Sequence, residues 1–221
     1  MLQIHKQAEP EEVIAWKALE NEDWQPSYAN LAGAPRKALR KALVLEQGGV
    51  CCYCNRAIAG PLNAIEEGEF HIEHLQPQSI FPSLELSYQN LHASCFKSES
   101  VKGPKHCGPA KGNWFDGHLL LSPMQDLTER FKYLDDGTIE AMDNDEPARV
   151  MIVKLKLDSE KLNEARFDEL VGVMTPEFIK TATRAEFEKV YRACFTRTNG
   201  LYKPFAVAIA QNLKTFLDRF P

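Results

Sequence analysis

The spacing of the cysteines most constrains what this chain can fold into. Two of its six cysteines, Cys51 and Cys54, form a C-x-x-C pair within "GGVCCYCNR". Such a pair brings two sulfur atoms to one metal ion, and a structural zinc ion takes four ligands at tetrahedral corners. Cys95 and Cys107 follow downstream, and the lysine-rich loop between them can bulge out at small entropic cost. Four thiolates are therefore available for one structural zinc site, in which Cys52 cannot share the role of its neighbour.

A second ligand set, Cys51 and Cys54 with His71 and His74, has the order of a zinc finger. In such fingers both histidines lie on one face of a helix. The stretch "FHIEHLQP" instead alternates and soon reaches Pro77, which predicts a β-strand entering a turn. Because successive strand residues point to opposite faces, one zinc ion could hardly take both histidines.

Length and composition favour a folded protein outside the membrane. The chain has 221 residues, of which 44% are hydrophobic, and this is enough to build a core. No stretch approaches the roughly 18 apolar residues of a membrane span, and "MLQIHKQAEPEEV" is not a secretory signal. We therefore expect a cytoplasmic protein with no membrane partner. In that compartment cysteines are metal ligands or buried thiols more often than disulfides, and Cys194, in a predicted helix, is expected to be a buried thiol.

The net charge of −5 argues against a protein that coats nucleic acid through a global positive field. Two stretches are basic although the net charge of the chain is negative, and they lie on either side of the first cysteines. They are "PRKALRKALVLEQ" and "CFKSESVKGPKHCGPAKG". Their basic residues are Arg36, Lys37, Arg40 and Lys41 in the first, and Lys97, Lys102, Lys105 and Lys111 in the second. Such stretches are either solvated surface charge or local contacts to phosphate.

The pattern along the chain predicts an α+β fold with three parts. Residues 1–50 read as a helical segment with two helices, residues 51–117 as a small module organised by metal, and residues 118–221 as a hairpin and helices packed on that module. The hairpin is "RFKYLDDGTIEAM", and a helix with Asp158 as its N-cap follows. Two further helices are expected near 176–194 and 203–219. The residues of the first C-terminal helix predicted to face inward are Leu162, Ala165, Leu170 and Val171.

Glu73, His74 and Asn90 suggest a hydrolytic site in the central module. Phosphodiester hydrolysis with one hard cation needs an oxygen ligand for the ion, a base to deprotonate water, and a group that fixes the tautomer of the base. Glu73, His74 and Asn90 can supply these in turn. The alternative is a surface Glu-His pair and a turn asparagine without a catalytic role. The order and spacing of the three residues argue against this alternative.

Four motif pieces in order resemble the HNH, or ββα-metal, endonuclease family. They are "CCYC", then "IEHLQPQS" for an acidic-His-x-x-Pro-x-Ser strand, "QNLHASC" for Asn-Leu before the third cysteine, and "CGPAKG" for Cys-x-x-x-Lys-Gly. The resemblance implies a ββα-metal module enclosed by a mainly helical chain. It also implies a structural Zn²⁺ on the four cysteines and a catalytic divalent cation, Mg²⁺ or Mn²⁺. Glu73 then matches the acidic metal ligand, His74 the general base, and Asn90 the residue that orients the base.

One position departs from the family pattern. Where many members have a His or Asn ligand directly after the last cysteine, this chain has Gly108. The family pattern therefore does not identify the second protein ligand of the catalytic ion. Candidates in or near the expected short helix are His106, Asn113 and Asp116. His92 could also reach the site, and His71 would either support a ligand or contact phosphate.

More narrowly, the chain is similar to the HNH nuclease subunits of Septu-type and retron-associated phage-defence systems, the PtuB family. "AKGNWFDGHLLLSP", "FKYLDDGTIEA" and "LKLDSEKLNEARFDEL" extend this softer resemblance over nearly the whole chain. It implies an antiviral effector nuclease that acts on nucleic acid, DNA first and RNA as the alternative, together with a PtuA-like ATPase subunit. Two other readings stay open. One is a non-catalytic zinc-binding interaction module, and the other, less favoured, is a redox-active C-x-x-C without a surrounding βαβ pattern.

Overall fold

A computed structural model describes residues 1–58, 70–95 and 105–220. Within these residues the fold is α+β, with two small antiparallel sheets among helices. The α+β class predicted from the sequence is therefore confirmed. Nowhere in the described part of the chain is there a helix with the length and apolar character needed to cross a membrane.

Two helices precede the cysteines, as predicted. Helix α1 spans Glu11–Lys17 and helix α2 spans Gly33–Glu46. The acidic residues of the first turn of α1 lie at the positive end of the helix dipole, and its last turn carries a lysine. Helix α2 packs against α1 and buries Leu39, Leu43 and Val44. It ends before two glycines with positive φ, which readily adopt the backbone conformation that stops a helix.

A hairpin and a short helix form the centre of the molecule. Strand β1, Phe70–His74, pairs antiparallel with β2, Leu91–Cys95. The loop between them contains 3-10 turns at Pro82–Leu84 and Tyr88–Asn90. Helix α3, Gly108–Lys111, contacts both strands. The β-strand predicted for "FHIEHLQP" is confirmed, and the order of elements is strand, strand, helix.

The C-terminal part begins with the predicted hairpin, formed by β3, Phe131–Tyr133, and β4, Ile139–Ala141. Five helices follow. They are α4 (Glu146–Leu155), α5 (Glu160–Val173), α6 (Pro176–Thr181), α7 (Arg184–Cys194) and α8 (Ala206–Leu217). The turn of the hairpin holds Gly137 at φ +83°, packed against α5 so closely that a Cβ atom would overlap the backbone of Asn163. A glycine is required there for both reasons.

Helix α4 was not predicted from the sequence, and three details of the predicted elements in this part also differ. Ser159, not Asp158, is the N-cap of α5, because the left-handed Lys156 and the bond from Leu157 N to Ile152 O extend the end of α4. Val171 is 44% exposed, since the buried stripe of α5 follows Leu162, Arg166 and Leu170, and Val171 lies one position beyond it. The helix predicted over 176–194 is two helices, because a capping box between Thr183 and Glu186 starts α7.

The apolar side chains form two adjoining cores. The larger core joins the N-terminal helices, the β1–β2 hairpin, the cysteine-containing turn, the second hairpin and α4. The smaller core lies between α5, α7 and α8, and it contains Cys194 as the buried thiol that was predicted. The cysteines of the central module are therefore fixed inside the main core.

Candidate functional site

Four buried cysteines meet at one point. The sulfur atoms of Cys51, Cys54, Cys95 and Cys107 all lie within 4.8 Å of one another. Among the described residues they are the only group of three or more potential ligands that could hold a metal ion. The predicted four-cysteine set is confirmed as a candidate metal centre, and neither histidine of the zinc-finger alternative belongs to it.

Local structure places each of these sulfur atoms. Residues 52–54 form a tight turn. Tyr53 N in this turn and Cys95 N at the end of β2 both point at the Cys51 sulfur, at 3.5 and 3.4 Å. Cys95 is the last residue of β2, and Cys107 is the residue before α3. Such N–H groups directed at sulfur favour the thiolate form that binds metal.

The cluster needs a cation to become a set of four thiolates. Burial works against ionisation, but hydrogen bonds from the neighbouring thiols, above all Cys107, hold the pKa of Cys51 well below its usual value. Burial and the nearby Cys51 raise the pKa of Cys107 well above its usual value. Tetrahedral Zn–S bonds of about 2.3 Å place sulfurs about 3.8 Å apart. The observed distances, including 3.4 Å from Cys54 to Cys95, fit a structural zinc ion.

Glu73 is a buried and ionised carboxylate. Its side chain is 3% exposed, and Oε1 accepts hydrogen bonds from Lys111 Nζ at 2.8 Å and from the Tyr53 hydroxyl at 3.1 Å. Oε2 lies 3.3 Å from His71 Nε2. Burial alone would raise the pKa of Glu73, but the hydrogen bond with His71 and the charge of Lys111 outweigh it and lower that pKa. The carboxylate is therefore negative at neutral pH.

Gly108 makes room for this carboxylate. A Cβ atom at position 108 would overlap Oε2 of Glu73, and it would come within 3.0 Å of the Ser94 hydroxyl. The same hydroxyl accepts a hydrogen bond from Gly108 N. A His or Asn ligand at this position is thus incompatible with the observed position of Glu73.

His74 is oriented as a neutral base. Its Nε2 lies 3.0 Å from the carbonyl oxygen of Glu85, and since a carbonyl can only accept, Nε2 carries the proton and Nδ1 has a free lone pair. The ring packs edge-on against Tyr28, with centroids 4.5 Å apart. Burial lowers the pKa of His74 in spite of the Glu85 carbonyl. The imidazole is therefore neutral at pH 7.

Asn90 organises the loop that carries the Glu85 carbonyl. Its Oδ1 accepts from Gln76 N at 2.8 Å, and its Nδ2 donates to the carbonyls of Gln76 and Leu84 at 3.0 and 3.2 Å. These bonds clamp the two ends of the loop together. Asn90 therefore acts on His74 through the backbone next to Glu85, and these contacts do not include the His74 ring.

Two of the candidates for a second cation ligand, His106 and Asp116, already contact other groups. His106 Nδ1 lies 3.2 Å from the Cys107 sulfur, and Asp116 accepts bonds from the backbone of His118 and Leu119. Asn113 is exposed. His92 is opposite Glu73 in the sheet and fully buried, and neither ring nitrogen has a well-formed hydrogen bond.

Two residues that hold Glu73 were missed by the sequence reasoning. They are Tyr53 and Lys111. Lys111 was expected to be a surface charge or a phosphate contact, but its side chain is only 1% exposed. Its ammonium group also donates to the carbonyls of His74 and Gly112. The sequence feature that could have indicated its burial is its place in "CGPAKG", directly before a glycine. Gly112 has φ +52°, and the chain turns there, so Lys111 can point inward. Arg40 is likewise buried against Phe70, while Lys97 and Lys102 lie outside the described residues.

Comparison with known proteins adds no family name. No protein-family model matches the chain, and no curated protein matches its sequence.

Proposed function

We propose that this chain is a metal-dependent HNH endonuclease that hydrolyses phosphodiester bonds in nucleic acid. The observation that carries the proposal is the state of His74, a neutral imidazole held at Nε2 by the Glu85 carbonyl at the end of β1. It adjoins Glu73, a carboxylate that stays ionised although buried. A pre-oriented base beside an anionic oxygen ligand is the arrangement that hydrolysis by one cation requires.

The protein groups have separate tasks in this reaction. Nδ1 of His74 takes a proton from the attacking water, and the Glu85 carbonyl stabilises the imidazolium that results. A divalent cation, Mg²⁺ or Mn²⁺, held by Glu73 would polarise the scissile phosphate and stabilise the leaving 3′ oxygen. Asn90 keeps the loop, and through it the base, in place.

The position of both residues at the end of β1 supports a shared substrate. Neighbouring strand residues point to opposite faces, so Glu73 faces His71 and Lys111 while His74 faces Tyr28. The strand ends at His74, and the mechanism requires the phosphate to lie beyond this end, where it would contact both His74 and a cation held by Glu73. DNA is the expected substrate and RNA the alternative, because contacts to the phosphate backbone carry little base readout.

Cleavage assays with Mg²⁺ or Mn²⁺ test the proposal. We expect His74→Ala to lower the cleavage rate by about 10²-fold or more, which is the usual contribution of a general base. The matched control is His118→Ala, which changes an exposed histidine of the α3–β3 connection. Zinc content and circular dichroism report whether the variant is folded. Unchanged cleavage by a folded His74→Ala protein would contradict the mechanism.

The narrower proposal is an antiviral effector that works with a PtuA-like ATPase subunit. The net charge of −5 supports it, because a nuclease with little non-specific affinity for nucleic acid needs a partner to deliver substrate. Co-purification with the product of the neighbouring gene is the test. The protein migrating alone at every salt concentration would count against a stable complex.

A non-catalytic zinc module is the second candidate function. The observation that favours it is the buried ion pair between Lys111 and Glu73, because the carboxylate is already neutralised without a divalent cation. This candidate predicts a zinc-containing protein that binds its partner equally well with and without His74 and cleaves nothing. The cleavage assay above separates the two functions.

A further inference from the structure

The proposed cation site has a gap where family members place a second protein ligand. Gly108 occupies that position, and a side chain there would overlap Oε2 of Glu73. His106 and Asp116 bond to other groups, so we consider a second side-chain ligand closer to Glu73.

The two oxygens of Glu73 differ in their surroundings. Oε1 already accepts from Lys111 and Tyr53. Oε2 packs against Gly108, and the polar side chain that it contacts among the described residues is that of His71, at 3.3 Å. A carboxylate oxygen has two acceptor positions, so Oε2 has an acceptor position left for a cation and Oε1 does not.

His71 has the geometry of a partner ligand. Glu73 and His71 are two apart on β1 and therefore share one face of the sheet. The distance from His71 Nε2 to Glu73 Oε2 is 3.3 Å. Two neighbouring ligands on a six-coordinate ion with bonds of about 2.1 Å lie about 3.0 Å apart, so a small movement brings both atoms to one ion.

The surroundings of His71 leave space for the other ligands. Its side chain is 41% exposed, in contrast to the 3% of Glu73, so one side of the pair opens to solvent. Water and a substrate phosphate can therefore fill the positions that the protein leaves open, which is how hard divalent ions are usually bound in phosphoryl-transfer sites.

We infer that His71 Nε2 and Glu73 Oε2 together hold the divalent cation, with His71 in place of the ligand that Gly108 removes. This inference rests on the proposed function, since it concerns the same cation. An imidazole nitrogen beside a carboxylate oxygen favours a transition ion such as Mn²⁺ over Mg²⁺, which prefers oxygen ligands. Lys111 reduces the negative charge of the pair, and this weakens the attraction for either divalent ion.

The test measures Mn²⁺ binding by zinc-loaded protein in the absence of nucleic acid. Electron paramagnetic resonance counts free Mn²⁺ during a titration, and its pulsed form detects nitrogen nuclei bonded to the ion. We expect His71→Ala to weaken Mn²⁺ binding by about tenfold or more and to remove the nitrogen signal. Mg²⁺ affinity, measured by competition, is expected to change less. His118→Ala is the matched control and should behave as the unmodified protein.

The outcomes separate this inference from the proposed function. If His71→Ala keeps both the Mn²⁺ affinity and the nitrogen signal while Glu73→Gln loses binding, His71 is not a ligand and only this inference fails. If Glu73→Gln also binds Mn²⁺ normally, the cation does not bind at Glu73 and the proposed site fails with it. Because His71 is partly exposed, its substitution is expected to leave zinc content and folding unchanged, and both are checked on the same sample.

Discussion

The ammonium group of Lys111 lies 2.8 Å from Oε1 of Glu73, and the two side chains are 1% and 3% exposed. This buried pair lies between the strand that carries the proposed base and the helix that follows Cys107. A buried carboxylate without a counter-charge would be very unfavourable. Together with His71, the lysine keeps Glu73 ionised inside the protein, and it also reduces the attraction that a divalent cation feels.

Lys111→Met tests this pair. We expect it to lower the free energy of unfolding by about 3–5 kcal/mol, because it leaves the buried Glu73 charge without its ammonium partner. The double variant Lys111→Met with Glu73→Gln should regain part of that loss, since no charge then remains. Urea unfolding measures both, and Lys180→Met, at an exposed position of α6, is the control. Equal stability of the single and double variants would argue against an energetic coupling between Lys111 and Glu73.

Gly108→Ala tests the close approach of α3 to β1. The added methyl group would overlap Oε2 of Glu73, so the carboxylate or the helix must shift. We expect a loss of roughly 1–3 kcal/mol in the free energy of unfolding and weaker Mn²⁺ binding. Gly117→Ala is the matched control, because a Cβ atom at Gly117 meets nothing within 4 Å. A Gly108→Ala protein as stable as that control would contradict the predicted overlap.

Cys54→Ser tests the metal centre. Removing one of four thiolates should release most of the zinc, and we expect the thermal midpoint to fall by about 10 °C or more, because metal binding is coupled to folding. Metal analysis and thermal unfolding give the two readings. Cys194→Ser is the control, since this thiol lies in the smaller core and bonds to Val190 O, a bond that a hydroxyl can replace. Equal zinc content in the two variants would exclude the cluster as the zinc site.

His92 predicts a pH dependence of stability. Burial lowers the pKa of His92 to about 3 from its usual 6.5. Below pH 6.5 the unfolded chain therefore gains a proton that the folded protein does not, so stability falls as the pH decreases. Between pH 7 and pH 5 this loss is about 2 kcal/mol, and His92→Phe should remove it from the urea unfolding profile. Identical profiles for the two proteins would mean that His92 is protonated in the folded state.

The sequence predicted the features that depend on local pattern. The C-x-x-C pair, the alternation of "FHIEHLQP" and the Asp-Gly hairpin each specify a short-range geometry, and the corresponding elements are present. Cys95 and Cys107 could be assigned because few other ligands were left. The first two helices followed from their apolar spacing and from the glycines after Glu46.

The environment of Glu73 could not be predicted in this way. Lys111 and Tyr53 come from segments on either side of β1 in the sequence. The packing of α3 on the strands brings Lys111 to the carboxylate, and the cysteine-containing turn brings Tyr53. A lysine in a basic stretch is usually exposed, so its burial has no pattern in the sequence. The exposure of Val171 likewise depends on which face of α5 meets the core. That face is fixed by the buried Arg166, which donates to the carbonyls of Gly137 in the hairpin turn and of Leu157.

The four sulfur atoms come from positions 51, 54, 95 and 107, so a metal ion bound there ties together three segments that are distant along the chain. Chain closure over such distances is entropically costly, and β2 and α3 both depend on where Cys95 and Cys107 lie. Newly synthesised chains would therefore compete for zinc before their central module could form. In a cell short of this metal, we expect the amount of folded protein to follow zinc supply, whatever the rate of its synthesis.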